Sequence, residues 1–447
     1  MTTFATRTVD VGRLADSASM TPRRWGVIAV CFVIALLDGF DTQSIAFIGT
    51  SIKNDFGLST AQMTWVITAS TIGMCLGAMS LGALSDRFGR RPTILLALVV
   101  FGGFSILGSM AQTPEQIIAL RFLIGIGMGG ATPALLALTA EYSSRERRGT
   151  FMTLVLLGLP GGALLGGLVA AAWLPIVGWR GIFLIGGLLP IVLAVVCYLV
   201  VPESPALLAA KGTADGQRRI RVLAERYFGA RFDDTTTFVM SEVKTSRGPV
   251  RELFSERFRA VTTAVFSIYF LNWIAWFLLL LWMPTALNML GLSPATAAMG
   301  TVTVNGAFIL FALPLSLLLP RVNARDLLLV MFGCGIAVAV GLAMAGSSFA
   351  IVFVLIGLAG FGIGGQQLAL NYLIANAYPT QLRATATGWG IGIGRMGTIV
   401  GSALGGVLLS ALGVSGYFLF LALPLVLAAL ATLFVKKNYG SPVAETV

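Results

Sequence analysis

Gly82-Ala-Leu-Ser-Asp86-Arg87-Phe-Gly89-Arg90-Arg91-Pro92 is a short basic turn between two apolar runs, 62–82 and 92–112. Each run has about the 20 residues that a helix needs to cross a bilayer core of about 30 Å. The turn therefore reads as a loop at a membrane surface. Gly82 permits close helix contact, and Asp86 suits a helix N-terminus, where the dipole favours an anion. Outward from this turn the pattern continues through twelve apolar runs: 25–50, 62–82, 92–112, 116–140, 150–172, 181–201, 260–284, 297–319, 327–346, 349–376, 384–411 and 415–435. The expected fold is an all-α integral membrane protein with twelve transmembrane helices.

Composition agrees. Of 447 residues, 57% are hydrophobic and 11% charged, with a mean hydropathy of +0.89. A soluble chain carries roughly 25% charged residues. The first 24 residues are polar and lack the apolar core and cleavage site of a signal peptide, so they read as a tail. The net charge of +11 is compatible with a nucleic-acid partner, but its distribution argues against one. With these spans, 26 of the 30 Lys and Arg residues fall on one side. Only Lys53 and Arg180 fall on the other, and Arg121 and Arg395 lie within helices. Basic loops stay on the cytoplasmic side, so both termini are expected there.

The longest connection, 202–259, is basic and divides the runs six and six. The expected organisation is a tail (1–24), a six-helix bundle (25–201), a cytoplasmic linker (202–259), a second six-helix bundle (260–435) and a tail (436–447). Within the linker, Ile220, Leu223, Ala224 and Tyr227 recur at helical spacing among Arg218, Arg219, Arg221 and Arg226. That pattern suits either an amphipathic helix on the membrane surface or a solvated linker helix.

The halves repeat. Gly125-Ile-Gly-Met-Gly-Gly130 matches Gly360-Phe-Gly-Ile-Gly-Gly365. Tyr142-Ser-Ser-Arg-Glu-Arg147 then matches Tyr378-Pro-Thr-Gln-Leu-Arg383. The same order at an offset of 235 to 236 residues indicates two parallel repeats, with binding expected at their interface near the midplane.

Ionisable side chains inside hydrocarbon are costly and mark function by default. Asp38 and Asp41 lie in the first run, three residues apart and so on one helical face. In a chain without histidine they are the natural proton carriers. A permanent pairing with Arg121 is the structural alternative. Arg395 lies about 16 Å into the eleventh run, near the midplane and among glycines. Its planar fork suits a carboxylate, or else an internal salt bridge. Asn272, Asn305, Gln366, Gln367 and Asn371 are candidate cavity residues or interhelical hydrogen-bonding groups. Trp273 and Trp276 are candidates to stack on a ring. Trp173, Trp179 and Trp282 suit an aromatic belt at the outer interface. Cys31, Cys75, Cys197 and Cys334 have no metal or disulfide spacing and read as packing residues.

The turn at 82–92 resembles the signature loop of the major facilitator superfamily. That resemblance implies a cytoplasmic gate, carried by Gly82, Asp86, Arg87, Gly89, Arg90 and Arg91. The corresponding loop, Ser316-Leu-Leu-Leu-Pro320-Arg321-Val-Asn323-Ala-Arg325, lacks the Asp and both glycines, which implies asymmetric gating. Four further stretches resemble the aromatic acid:proton symporters. They are Leu37-Asp38-Gly39-Phe40-Asp41-Thr42, Gly178-Trp179-Arg180 with Pro190, Trp282-Met-Pro284-Thr285, and the segment from Tyr378 through Gly388-Trp389, Gly394-Arg395 and Gly397 to Gly405-Gly406. The chain departs from that pattern at Thr50, where a proline is common, and at Gly401-Ser402, where Gly-Pro is common.

The resemblance implies import of a small aromatic carboxylate with protons by alternating access, through a monomer in a bacterial inner membrane, in contact with lipid. Asp38, Asp41 and Arg121 would couple protons, Arg121 resembling the superfamily's buried arginine of the fourth helix; snorkelling to the outer interface is its other reading. Arg395, Asn272, Trp276, Gln366, Gln367 and Asn371 would bind substrate. No cofactor, metal or enzymatic activity is expected: metal cluster, nucleophile triad and phosphate loop are all missing, as is histidine, the commonest general base. A sugar, polyol or non-aromatic acid symporter stays open, since Pro202-Glu203-Ser204-Pro205 resembles sugar-transporting relatives. A drug exporter lacks support, because the fifth run has Leu159-Pro160-Gly161-Gly162 instead of Gly-Pro-x-x-Gly-Gly. A non-transporting sensor would be expected to carry an additional signalling domain.

Overall fold

The computed structural model describes residues 8–144, 146–233, 235–239, 250–346 and 348–436. All twelve apolar runs lie in helix: α1 (Pro22–Phe56), α2 (Thr60–Phe88), α3 (Arg90–Ser109), α4 (Pro114–Glu141), α5 (148–177), α6 (179–200), α7 (Arg259–Met289), α8 (Pro294–Leu318), α9 (Ala324–Met344), α10 (349–377), α11 (380–412) and α12 (414–433). Local signals start them. Thr21 caps α1 ahead of Pro22, and Ser59 and Thr113 each form a reciprocal capping box, with Gln62 and Gln116. Gly57 ends α1 in the left-handed conformation.

Two pairs of helices are joined by one residue each. Gly178 (φ 65°) separates α5 from α6, and Gly413 (φ 66°) separates α11 from α12. Positive φ disfavours residues with a Cβ, so glycine makes both breaks. The two glycines stand 235 residues apart, which extends the internal repeat. The repeat fails at one point. Gly125–Gly130 continues a regular α4, whereas Gly360–Gly364 forms a π-turn in α10.

Glycines also set the crossings. A Cβ on Gly39 would lie 1.9 Å from Leu159 O, and one on Gly162 would lie 1.8 Å from Leu36 O, so α1 and α5 meet backbone to backbone. In the second half a Cβ on Gly397 would lie 2.3 Å from Phe270 O, giving α7 and α11 the equivalent crossing. A backbone oxygen cannot rotate away as a side chain can. Gly162→Ala should therefore force α1 and α5 apart, at a cost of at least about 1–3 kcal/mol. Gly161→Ala, with nothing within 4 Å of its Cβ, should be neutral. Thermal unfolding in detergent should show a lowered midpoint for Gly162→Ala alone.

The halves meet at the end opposite the 82–92 turn. There Trp282 is fully buried in the cradle of Gly405 and Gly406, and its indole donates to Ser402 O at 2.8 Å. Gly406 in turn faces Thr64 and Thr60 of α2. Thr71 of α2 and Ser402 of α11 share a hydrogen bond at 3.0 Å. Nearer the basic end, Leu76 and Met79 of α2 and Trp389 of α11 are exposed. The hydrogen bonds and glycine contacts of α2 with α7 and α11 thus lie toward the end opposite the basic turn.

Two expectations are corrected. Trp282 and Trp179 are not belt residues: Trp282 is buried where the halves meet, and Trp179 is buried, donating to Asp55 at 3.0 Å. Trp173 alone of the three is exposed. The linker helix Ala214–Phe228 turns its apolar stripe onto protein, while Arg218, Arg219, Val222 and Arg226 stay exposed. Its Ile220, Ala224 and Phe228 are buried against the first half, where Phe228 stacks on Tyr142 (centroids 5.8 Å apart) and Thr21 donates to Tyr227 O at 2.8 Å. A short parallel pairing of Thr8–Asp10 with Thr237–Val239 ties the N-terminal segment to the linker.

Candidate functional site

The two carboxylates of α1 have different partners. Asp41 pairs with Arg121 of α4 at 3.0 Å, and both side chains are at most 3% exposed. This settles the position of Arg121: it is buried and does not snorkel outward. Asp38, equally buried, accepts from Thr132 of α4 at 2.9 Å and from Thr42 at 3.5 Å, with no arginine within ion-pair distance among the described residues. A buried ion pair with only one arginine can neutralise only one carboxylate. Asp38 is therefore the less compensated acid, held by neutral hydroxyls.

Arg395 of α11 faces that acid from the other half. Its charge acts on Asp38 and Cys75 across the interface, but among the described residues it has no ion pair within 4 Å and no hydrogen bond. The internal salt bridge that a midplane arginine might have made is thus not formed. Its neighbours in α11 explain its approach. Gly394 faces the indole of Trp273, and Gly397 lies on the backbone of Phe270, so α7 runs directly alongside.

The wall beside Arg395 is aromatic and amide-rich. Trp273 donates to Gln367 at 2.7 Å, Gln367 donates to Asn371 at 3.0 Å, and Tyr269 donates to the same Asn371 oxygen at 2.5 Å. This chain of bonds joins α7 to α10. Trp276 packs over Gly364 of the π-turn and against Phe308 of α8, at 6.0 Å between centroids. Gln366 is fully buried and donates back to Gly362 O, so it braces the π-turn. Its carbonyl oxygen and that of Asn272 accept no hydrogen bond among the described residues. Asn305 bonds within α8, donating to Thr301 O at 2.9 Å. Tyr269 and Thr132 carry no motif that marks them in the sequence. Tyr269 does fall one helical turn before Trp273, the signal that was there to read.

The turn at 82–92 is held by its own half. Gly89 has φ 128°, and a Cβ there would collide with the Glu203 carboxylate. That carboxylate accepts from the backbone N–H groups of Arg90 (3.0 Å) and Ser204 (2.8 Å), at the N-terminus of α3. Arg90 pairs with Glu141 at 3.0 Å, Arg91 donates to Tyr198 O at 2.5 Å, and Arg87 is exposed beside Phe88. Gly82 lies opposite Pro133 of α4. The side chain of Asp86 lies outside the described residues. Glu141 and Glu203 are the acidic partners that the basic signature left out of view.

Among the described residues no cluster of metal-ligating side chains occurs. The sequence profile of the Major Facilitator Superfamily matches residues 31–391 and again 265–446. The chain is 36% identical to a gallate transporter of Pseudomonas putida, over 95% of this chain and 94% of that protein. It is 33% identical to the 4-hydroxybenzoate transporter PcaK of Pseudomonas aeruginosa, over 91% of this chain and 90% of that protein. In fold it is similar to the crystal structure of a bacterial homologue of the human lysosomal transporter Spinster, inward-facing and unoccupied. The TM-score is 0.73 at 17% identity, covering 94% of this chain and 98% of that one.

Proposed function

The chain belongs to the major facilitator superfamily and, within it, to the aromatic acid transporters, and from that premise we propose that it imports a small hydroxylated aromatic carboxylate together with protons. The observation that carries this reading is Arg395, a half-buried guanidinium without an ion pair or hydrogen bond among the described residues, facing Asp38, the less compensated acid. Arginine offers two parallel donors to one carboxylate, so an anionic substrate completes the site. The ring lies against Trp276 and Trp273, and ring hydroxyls meet Gln367, Asn371 and the open acceptors of Asn272 and Gln366.

In the proposed cycle Asp38 takes up a proton when the site faces outward, which frees Arg395 from its pull. The substrate carboxylate then occupies Arg395. With both charges neutralised, the halves 25–201 and 260–435 rock about the site, and the end at Trp282 closes as the basic end opens. Asp41 and Arg121 hold α1 to α4 and keep Asp38 in place. The turn Gly82–Arg91 and its acidic partners close the basic end in the opposite state, with linker 202–259 spanning the two halves. The basic end is cytoplasmic in this reading, both termini included, and the membrane is a bacterial inner membrane, with the monomer as the working unit.

Uptake of radiolabelled 4-hydroxybenzoate into proteoliposomes tests the proposal. An inward proton gradient should drive accumulation, and unlabelled gallate and benzoate should compete while xylose does not. Uptake indifferent to the gradient would remove proton coupling. No uptake of the aromatic acid by folded protein, with uptake of a sugar or an aliphatic acid instead, would overturn the substrate class.

A further inference from the structure

A second site lies at the basic end, away from the midplane. The end of α6, the start of α3 and the linker helix Ala214–Phe228 enclose a cavity of about 370 Å³, lined among others by Arg91, Tyr198, Arg218, Arg219, Val222 and Arg226. Two carboxylates also reach it, and both are occupied. Asp215 pairs with Arg219 at 2.8 Å, and Glu203 accepts from the backbone at the start of α3. Arg218 and Arg226 have no carboxylate partner among the described residues, and both are exposed. Burial pushes the Tyr227 hydroxyl up from its ordinary value, and the guanidiniums of Arg23, Arg226 and Arg91 oppose that shift, so the floor of the cavity is positive.

The cavity wall changes character along α6. Val195, Tyr198 and Leu199 are more than half exposed on a helix of membrane-spanning length, so this face meets acyl chains. Tyr198 stands at the boundary, with Arg91 over its ring at 4.7 Å. Val222 extends the apolar edge onto the linker helix. An anion alone would need only the arginines. A ligand that uses both surfaces carries a phosphate on an apolar tail. Guanidinium forks match phosphate oxygens, and basic pockets at membrane boundaries attract acidic headgroups.

We propose that this cavity binds the headgroup phosphate of an anionic phospholipid, with the acyl chains lying along the exposed face of α6. The lipid would bridge the 82–92 turn through Arg91, α6 through Tyr198 and the linker through Arg218 and Arg226, adding to the bonds from Arg91 to Tyr198 O and from Tyr227 to Val200 O.

Native mass spectrometry of the full-length protein, titrated with phosphatidylglycerol or with phosphatidylcholine of the same chains, provides the test. Phosphatidylglycerol should be retained preferentially, and Arg218→Gln with Arg226→Gln should weaken that preference about tenfold or more. Both side chains are exposed, so the variant should fold. Arg13→Gln with Arg257→Gln removes the same charge from exposed positions outside the cavity and should leave the preference intact. Equal retention of the two lipids, or an unchanged preference in the Arg218/Arg226 variant, would overturn the proposal. Displacement of phosphatidylglycerol by millimolar inorganic phosphate would also overturn it, assigning the arginines to a free anion.

Discussion

Arg395→Ala should abolish saturable uptake of the aromatic carboxylate while leaving the protein folded in the membrane, the largest effect expected of any single substitution. Arg395 makes no ion pair or hydrogen bond among the described residues, so removing it orphans no partner of its own. Deleting one member of a satisfied buried pair costs roughly 3–5 kcal/mol, and that cost does not arise here. What is lost is the substrate contact. Two charge-assisted hydrogen bonds contribute on the order of 3 kcal/mol or more, about a hundredfold in affinity. Arg395→Lys keeps the charge but not the planar fork, and should recover only part of that. Equilibrium binding of 4-hydroxybenzoate by calorimetry separates affinity from turnover. Unchanged binding in Arg395→Ala would end the clamp assignment, and loss of expressed protein would instead return Arg395 to a structural role.

The membrane architecture was legible because a bilayer imposes one severe constraint. Every backbone polar group must be satisfied within the segment, so an apolar run of sufficient length has to be helix. Nothing comparable fixes what a local pattern packs against. The apolar stripe Ile220, Ala224, Phe228 suits lipid or protein equally, and only the positions of Tyr142 and Thr21 select protein. Trp282 and Trp179 sit at helix ends where belt residues also sit, and their burial depends on Gly405, Gly406 and Asp55 from distant segments. Matching glycine strings at 125–130 and 360–365 give a regular helix in one half and a π-turn in the other. The difference lies in their surroundings, where Gly364 fits under Trp276 and Gln366 bonds back to Gly362. At the site, the sequence placed Asp38 and Asp41 on one face, but their shared spacing could not say which would take Arg121. That was decided by the register of α1 against α4, in which Thr132 falls opposite Asp38 and Arg121 opposite Asp41.

That division of partners separates the two acids experimentally. Asp38→Asn should convert the protein from a concentrating transporter into an equilibrating one. Asparagine is close to a permanently protonated aspartate, and its carbonyl can still accept from Thr132, now at 2.9 Å from a carboxylate oxygen. The binding site therefore survives, and Arg395 loses the carboxylate whose pull it feels across the interface. Exchange of labelled for unlabelled 4-hydroxybenzoate should persist, while accumulation driven by an imposed proton gradient should fall to the level of protein-free liposomes. Asp41→Asn should behave differently. It strands the Arg121 guanidinium, 1% exposed, in an interior without another carboxylate partner among the described residues. Leaving a buried charge uncompensated costs roughly 3–5 kcal/mol, so folded yield should drop before any transport is measured. If Asp41→Asn instead folds normally and uncouples transport while Asp38→Asn still accumulates substrate, the coupling proton belongs to the Asp41–Arg121 pair. The bonds to Thr132 and Thr42 would then be what holds Asp38 as a fixed polar link between α1 and α4.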